Sequence, residues 1–351
     1  MRFYTKQHEY YCGIDLHARS MYVCIIDKEG NKLVHRNSRA EAGQLLKLIA
    51  PYRHDIVIAV ECMFCWYWIA DLCAKESIPF VLGHALYMKA IHGGKAKNDR
   101  IDAHKIAALL RGGMIPMAYV YPRKMRSTRD LFRRRMHFMR KRAELIAHIQ
   151  NTNSQYNLPE FGQRIARRCD RQKLGESLLN RFDDTSVRKS MEINVGLIDH
   201  YDKMLAKLEC YISKNARVDN PVAFHLLQSV PGIGKTLALS ILYEVHDIHR
   251  FKRVQDFLSY SRLVRCQKES AGKKYGTGGK KIGNAYLKWA FSEAAVLFLK
   301  GDRRRQAFLA KLEKKHGKAK ALSVLAAKLG RAVYFMLLRN HPFDEEKFLA
   351  R

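Results

Sequence analysis

The sequence predicts an α/β domain followed by a long helical, coiled-coil-like section and a mainly helical C-terminal domain, at residues 1–120, 121–218 and 219–351. Three observations predict it. Short β-rich runs alternate with amphipathic helical runs up to about residue 120. From Tyr121 the chain turns long, basic and helical. Two apolar helical runs then flank Pro231-Gly232-Ile233-Gly234.

Taken in order, "YYCGIDL" (10 to 16), "MYVCIID" (21 to 27) and "KLVHRNS" (32 to 38) are strands, with "DKEGNK" a hairpin turn between the second and third. "AEAGQLLKLIA" reads as a helix, "DIVIAVE" (55 to 61) as a buried strand, "WYWIADLCAKE" as a helix and "IPFVLG" (78 to 83) as a strand. A helix then opens near Asp99 and stops at Gly112 and Gly113. Residues 123 to 142 hold ten Lys or Arg and one Asp, over an apolar stripe of Leu131, Met139, Ile146 and Ile149. Met191, Ile198, Tyr201, Leu205, Leu208 and Ile212 form the cleaner seam of a second helix. An irregular tip at "NLPEFGQ" makes the pair an antiparallel hairpin within one chain or a dimerisation arm. The helices around Pro231 resemble a helix-hairpin-helix, which presents backbone N–H groups to a phosphate through Gly232, Gly234 and Lys235. "GIGKT" is not a P-loop, because Ser229 stands where that motif needs glycine.

Composition narrows the function. The 351 residues carry 64 Lys and Arg against 33 Asp and Glu, a formal charge of +31, which calls for a polyanionic partner, foremost nucleic acid. The run containing Arg133, Arg134 and Arg135 is its first candidate surface. With no run of 18 apolar residues and no signal peptide, a soluble, cytoplasmic protein without a membrane partner is expected. Eight cysteines suggest mostly reduced, buried thiols. Cys62 and Cys65 lack the second ligand pair of a zinc site and are expected in the core.

Within the acid-poor first domain, Asp15 ends the first strand, Glu61 ends the central one, and Asp99 and Asp102 open the last helix. Asp99 as N-cap with Asp102 in the first turn is the plain alternative. Four acids at strand ends and on one helical face instead suit Mg²⁺, with Mn²⁺ as a substitute, acting on a phosphodiester. In "CQKESAGKKYGTGGKKIGNAYLKWA" (266 to 290), Ser270 lies among glycines and Lys273, Lys274, Lys280 and Lys281. That is either a phosphate cradle with a nucleophilic hydroxyl or a basic loop that only grips a backbone.

"GIDLH", "AVE", "KNDRIDAHKIA", "VPGIGKTLA", "SAGKK" and "IGNAYLKWA", in this order over nearly the whole chain, resemble the DEDD transposases of the insertion-sequence-110 type, a group with Piv-like invertases and bridge-RNA-guided recombinases. The resemblance implies a RuvC/RNase H-like N-terminal domain with Asp15, Glu61, Asp99 and Asp102 as its metal-holding acids. It also implies a C-terminal transposase domain whose nucleophilic serine aligns with Ser270, Thr277 being the alternative in the same loop. Many relatives carry two small residues and two glycines around that serine, where this chain reads Glu269-Ser270-Ala271-Gly272. The expected function is strand cleavage and exchange of donor and target DNA through a serine-linked intermediate, guided by a noncoding RNA. Because four DNA ends are joined, a dimer or tetramer with shared active sites is expected. A water-using Holliday-junction nuclease and a non-catalytic nucleic-acid-binding protein are the rivals.

Overall fold

A computed structural model describes residues 2–91, 98–161, 165–215, 220–278 and 282–350. The chain divides into two units, 1–123 and 124–351. The first is built on a five-stranded sheet of β1 (Tyr10–Leu16), β2 (Ser20–Asp27), β3 (Lys32–Arg39), β4 (Ile56–Glu61) and β5 (Phe80–Gly83), in the spatial order β3-β2-β1-β4-β5. β1 pairs antiparallel with β2, and β2 with β3; β1 and β4 pair in parallel, as do β4 and β5. The helices are α1 (Ala42–Ile49), α2 (Tyr67–Lys75), the short α3 (Ala85–Ile91) and α4 (Asp99–Arg111). The expected strand and helix order holds, with α3 added.

Period-two alternation gives the sheet two apolar faces. Cys12, Ile14, Leu16, Ile58 and Val60 face the helices α1 and α2 through Leu45, Ile49, Ile69 and Cys73. Tyr11, Val57, Ala59 and Val81 face α4 through Ala103, Ile106, Ala107 and Leu110. α4 lies on Gly13 itself: a Cβ there would sit 2.3 Å from the Ala107 amide nitrogen and 2.4 Å from the Ala103 carbonyl oxygen. Hydrogen in place of a side chain lets helix backbone rest on strand backbone. Of the thiols, Cys12, Cys24 and Cys73 are buried and Cys65 half-buried, while Cys62, Cys169 and Cys210 are exposed; Cys62 does not join the core.

The second unit begins with α5 (Arg123–Gln155), whose first residue belongs to the first unit, followed by α6 (Arg168–Leu174) and α7 (Thr185–Asn215). α5 and α7 pack antiparallel within one chain. Arg135 meets Glu209, Arg142 meets Asp202, and His148 meets Asn194, in descending order along α7. Met191, Ile198, Leu205 and Ile212 are buried as the seam requires. On α5 the buried apolar positions are Met125, Phe132, Met136, Ile146 and Ile149, while Met139, expected on the stripe, is exposed.

α8 (Pro221–Gln228), α9 (Lys235–Val245), α10 (Val254–Tyr260), α11 (Ala285–Phe298), α12 (Arg303–His316), α13 (Lys318–Arg339) and α14 (Glu345–Leu349) share one further core. α13 is long and apolar enough to cross a membrane by length and composition, but Leu325, Leu329, Val333 and Leu337 are buried in that core. Between α10 and α11 the chain forms an antiparallel hairpin of β6 (Cys266–Ser270) and β7 (Lys273–Gly278), where the sequence suggested a loop.

A buried carboxylate ties this unit together. Glu244 of α9, 2% exposed, accepts from Arg129 and Arg133 of α5 and from the Asn284 amide at the start of α11. Burial alone would raise its pKa; the Arg133 hydrogen bonds, the two guanidinium charges and Asn284 outweigh burial and hold it below the ordinary carboxylate value. Asp202, only partly buried, is lowered too, because the Arg142 and Arg171 hydrogen bonds and charges outweigh its burial.

Two outcomes follow. Gly13→Ala should cost about 1–3 kcal/mol of stability, read as a lower thermal midpoint, because the new methyl meets backbone and not a yielding side chain. Carboxylates whose folded pKa is depressed stabilise above their unfolded pKa and lose that contribution as pH falls through the folded one. The second unit should therefore keep full stability at neutral pH and weaken below about pH 4. Denaturant melts followed at Trp289, with Glu244→Gln flattening the acid-side slope, check this.

Candidate active site

Asp15 and Glu61 come from neighbouring parallel strands. The β1–β4 register runs to Ile14 opposite Val60, and Asp15 and Glu61 are the next positions on each strand. Alternation puts both on the face covered by α4, with Tyr11, Gly13, Val57 and Ala59. Asp15 lies opposite Tyr22 of β2, and its side chain is mostly buried.

The helix that brings the other two acids is capped by Asn98, not Asp99. The Asn98 Oδ1 accepts from the Ile101 amide at 2.8 Å, so Asp99 and Asp102 lie in the first turn with the capping role already filled. His35 of β3 reaches the Arg100 carbonyl oxygen at 2.9 Å and steadies the same turn. Since α4 crosses Gly13 through Ala103 and Ala107, its N-terminal end lies over the end of β1.

The acids meet a residue that sequence reasoning left unassigned. His17 Nε2 is 3.3 Å from Asp99 Oδ2 and 3.7 Å from Asp15 Oδ2. One donor atom from each of Asp15, His17 and Asp99 fits within 4.8 Å, a span that one cation can bridge. The signal was in "GIDLH", where positions 15 and 17 share a strand face. Asp102 sits three residues along α4, 3.6 Å from the Lys105 ammonium. Glu61 and Asp102 adjoin the Asp15–His17–Asp99 group and are not part of it.

Ser270 belongs to the second unit, at the tip of the β6–β7 hairpin. It pairs with Lys273 across a two-residue turn in which Ala271 (φ 50°) and Gly272 (φ 74°) are both left-handed. Such turns close tight hairpins, and a non-glycine residue there is strained. Ser270, Lys273 and Lys274 are exposed. Thr277 lies in β7 opposite Gln267, while Lys280 and Lys281 fall outside the described residues. The feet of the hairpin are clamped: Arg262 Nε donates to the carbonyls of Ile282 and Gly283 at 3.0 Å, and the Asn284 amide donates to Tyr260 O at 2.5 Å.

The basic candidates divide. Arg133 turns inward to Glu244 and lies 4.5 Å over the Tyr286 ring, and Arg135 is held by Glu209; Arg134 alone of the three is exposed. Helical spacing explains it, since three consecutive residues point 100° apart. Gly232 (φ 87°) is a packing residue whose Cβ would strike the α11 backbone at 2.6 Å. Lys235 Nζ donates to the Ser213 hydroxyl at 2.6 Å. Gly234, at the N-cap of α9, has open space around it and no side-chain cap.

A transposase family model of the DEDD IS110 type matches residues 12–157, and one described as transposase IS116/IS110/IS902 family matches residues 224–310. The transposase for insertion sequence element IS1111A of Coxiella burnetii (strain RSA 493 / Nine Mile phase I) is 23% identical over 339 residues, which is 94% of this chain and 90% of that protein.

Proposed function

From the premise that the chain belongs to the IS110-type DEDD transposases and is thus a DNA-cleaving and rejoining enzyme, we propose that it exchanges strands through a serine-linked DNA intermediate formed at Ser270. The meeting of Asp15, His17 and Asp99 at the start of a helix capped by Asn98 carries the metal half of this reading. Asp15, Glu61, Asp99 and Asp102 would hold Mg²⁺, or Mn²⁺ in its place, with His17 fixing the first and third against each other. A divalent ion held by these residues would supply positive charge to offset that of the scissile phosphate.

The Ser270 Oγ attacks phosphorus, a phosphoserine bond forms, and the broken strand leaves through its hydroxyl oxygen. A second strand end reverses the step. Lys273 and Lys274 offset phosphate charge beside the serine. The mixed sheet with helices on both faces supports a RuvC/RNase H-like domain at 1–120. A helical arm at 121–218 and a transposase domain at 219–351 complete the proposed organisation. The α8–α9 turn, with uncovered amides behind Gly234, supports a helix-hairpin-helix grip on a phosphate. The charge of +31 and the resemblance to bridge-RNA-guided recombinases support a noncoding RNA guide. Acids and serine lie in separate units of the chain, which suits a dimer or tetramer whose copies complete one another's sites.

The test is the intermediate. DNA carrying the ends of the element, incubated with the protein and a divalent metal and then denatured, should yield a covalent adduct that mass spectrometry maps to Ser270. Ser270→Ala should bind DNA and form none, and excess chelator should suppress the adduct in the unaltered protein. DNA found on Thr277, or cleavage with no adduct at all, overturns the serine assignment, the second result in favour of a water-using nuclease.

A further inference from the structure

The turn from Glu61 into α2 is pinned throughout. The Cys62 amide donates to Gly83 O at 2.9 Å, the Met63 amide to Glu61 O at 2.7 Å, and the Cys65 thiol to Leu16 O at 3.5 Å. Trp66 is buried and stacked against Phe80. Between these anchors Phe64 is 79% exposed, more than any other large hydrophobic side chain among the described residues, and Met63 beside it is 44% exposed. A lone exposed apolar residue is ordinary on a protein surface. This one stands three residues past one candidate acid, and its neighbour Cys65 is hydrogen-bonded to the residue between Asp15 and His17.

We propose that Phe64 is a stacking platform for a DNA base next to the phosphate held by the acids, turned out of its own stack. The inference rests on the acid site acting on DNA, as proposed above. A strand whose phosphate sits at Asp15 and Asp99 must carry its neighbouring bases past the rim of that site, and Phe64 presents a largely exposed aromatic face on a turn anchored at Cys62 and Cys65. Bases present a π-face whatever their identity, so the contact tolerates any sequence. Met63 gives the stacked base an apolar edge.

The experiment uses the full chain with duplexes carrying the ends of the element and 2-aminopurine placed, one position at a time, on either side of the cleaved bond. Fluorescence is read in the Ser270→Ala background so that no strand is cut, and cleavage rates are read with Ser270 present. At one flanking position the signal should change on binding, and Phe64→Ala and Phe64→Leu should abolish that change while Phe64→Trp keeps it. Cleavage should slow by about tenfold to a hundredfold in the first two and recover with Trp. Overall affinity should hold, since phosphates carry most of it. Full activity in Phe64→Leu, or an unchanged signal in Phe64→Ala, overturns the proposal, as does a Phe64→Ala protein that cuts normally but loses a subunit on chromatography. Chelator-insensitive cleavage with the Phe64-dependent signal intact would instead sink the acid reading and leave the stacking supported.

Discussion

The contact of α4 with Gly13 governs the first unit. A side chain at that position would have to occupy space taken by the Ala103 carbonyl and the Ala107 amide, so only glycine lets the helix lie directly on the central strand. Direct seating fixes where the helix starts, and its start carries Asp99 and Asp102. The strand under it carries Asp15, and the parallel neighbour carries Glu61. The seating of α4 on Gly13 therefore brings the first turn of that helix, with Asp99, to the end of β1 that carries Asp15 and His17. Mutual repulsion opposes that gathering. His17 Nε2 stands between two of the carboxylates, 3.3 Å from Asp99 Oδ2 and 3.7 Å from Asp15 Oδ2.

The second unit places charge differently. Much of the arginine on its longest helix holds the fold: Arg129 and Arg133 surround Glu244, Arg135 grips Glu209 and Arg142 grips Asp202. Glu244 also accepts from the residue that caps α11 and closes the serine hairpin. The arm and the hairpin thus share a buried ionic node. Removing one partner from such a node is far costlier than losing a surface pair, because the remaining charges stay buried. The net charge available to a nucleic acid comes from exposed groups such as Arg134, Lys273 and Lys274.

Most of the first unit was legible in its sequence. Strand 10 to 16 announced itself as a short β-rich run, strand 55 to 61 by a continuous apolar run, and α4 by a clear start and two closing glycines. The order of the four acids followed from those elements. The seam of α7 was legible through its spacing. What escaped has physical reasons. The β6–β7 hairpin, CQKES and KKYGTG, is mostly polar residues and glycine, so it carries no apolar alternation to betray it. The direction of each arginine in a consecutive run depends on which carboxylate waits across the interface, and Glu244 is 111 residues from Arg133 along the chain. Asn98 outcompeted Asp99 as the cap by one position, which composition does not decide. His17 was visible as a same-face partner of Asp15, but only the approach of Asp99 gives it a role.

The seating of α4 on Gly13 brings Asp99 beside Asp15 and His17, a grouping proposed above to hold a cation. Manganese(II) binding to the full chain, followed by electron paramagnetic resonance of the free ion, tests it without reference to activity. A bound ion is expected that Asp15→Asn and Asp99→Asn each remove, and that Gly13→Ala weakens although none of the proposed ligands has changed. Equal manganese binding by the unaltered chain and by both aspartate variants would contradict it.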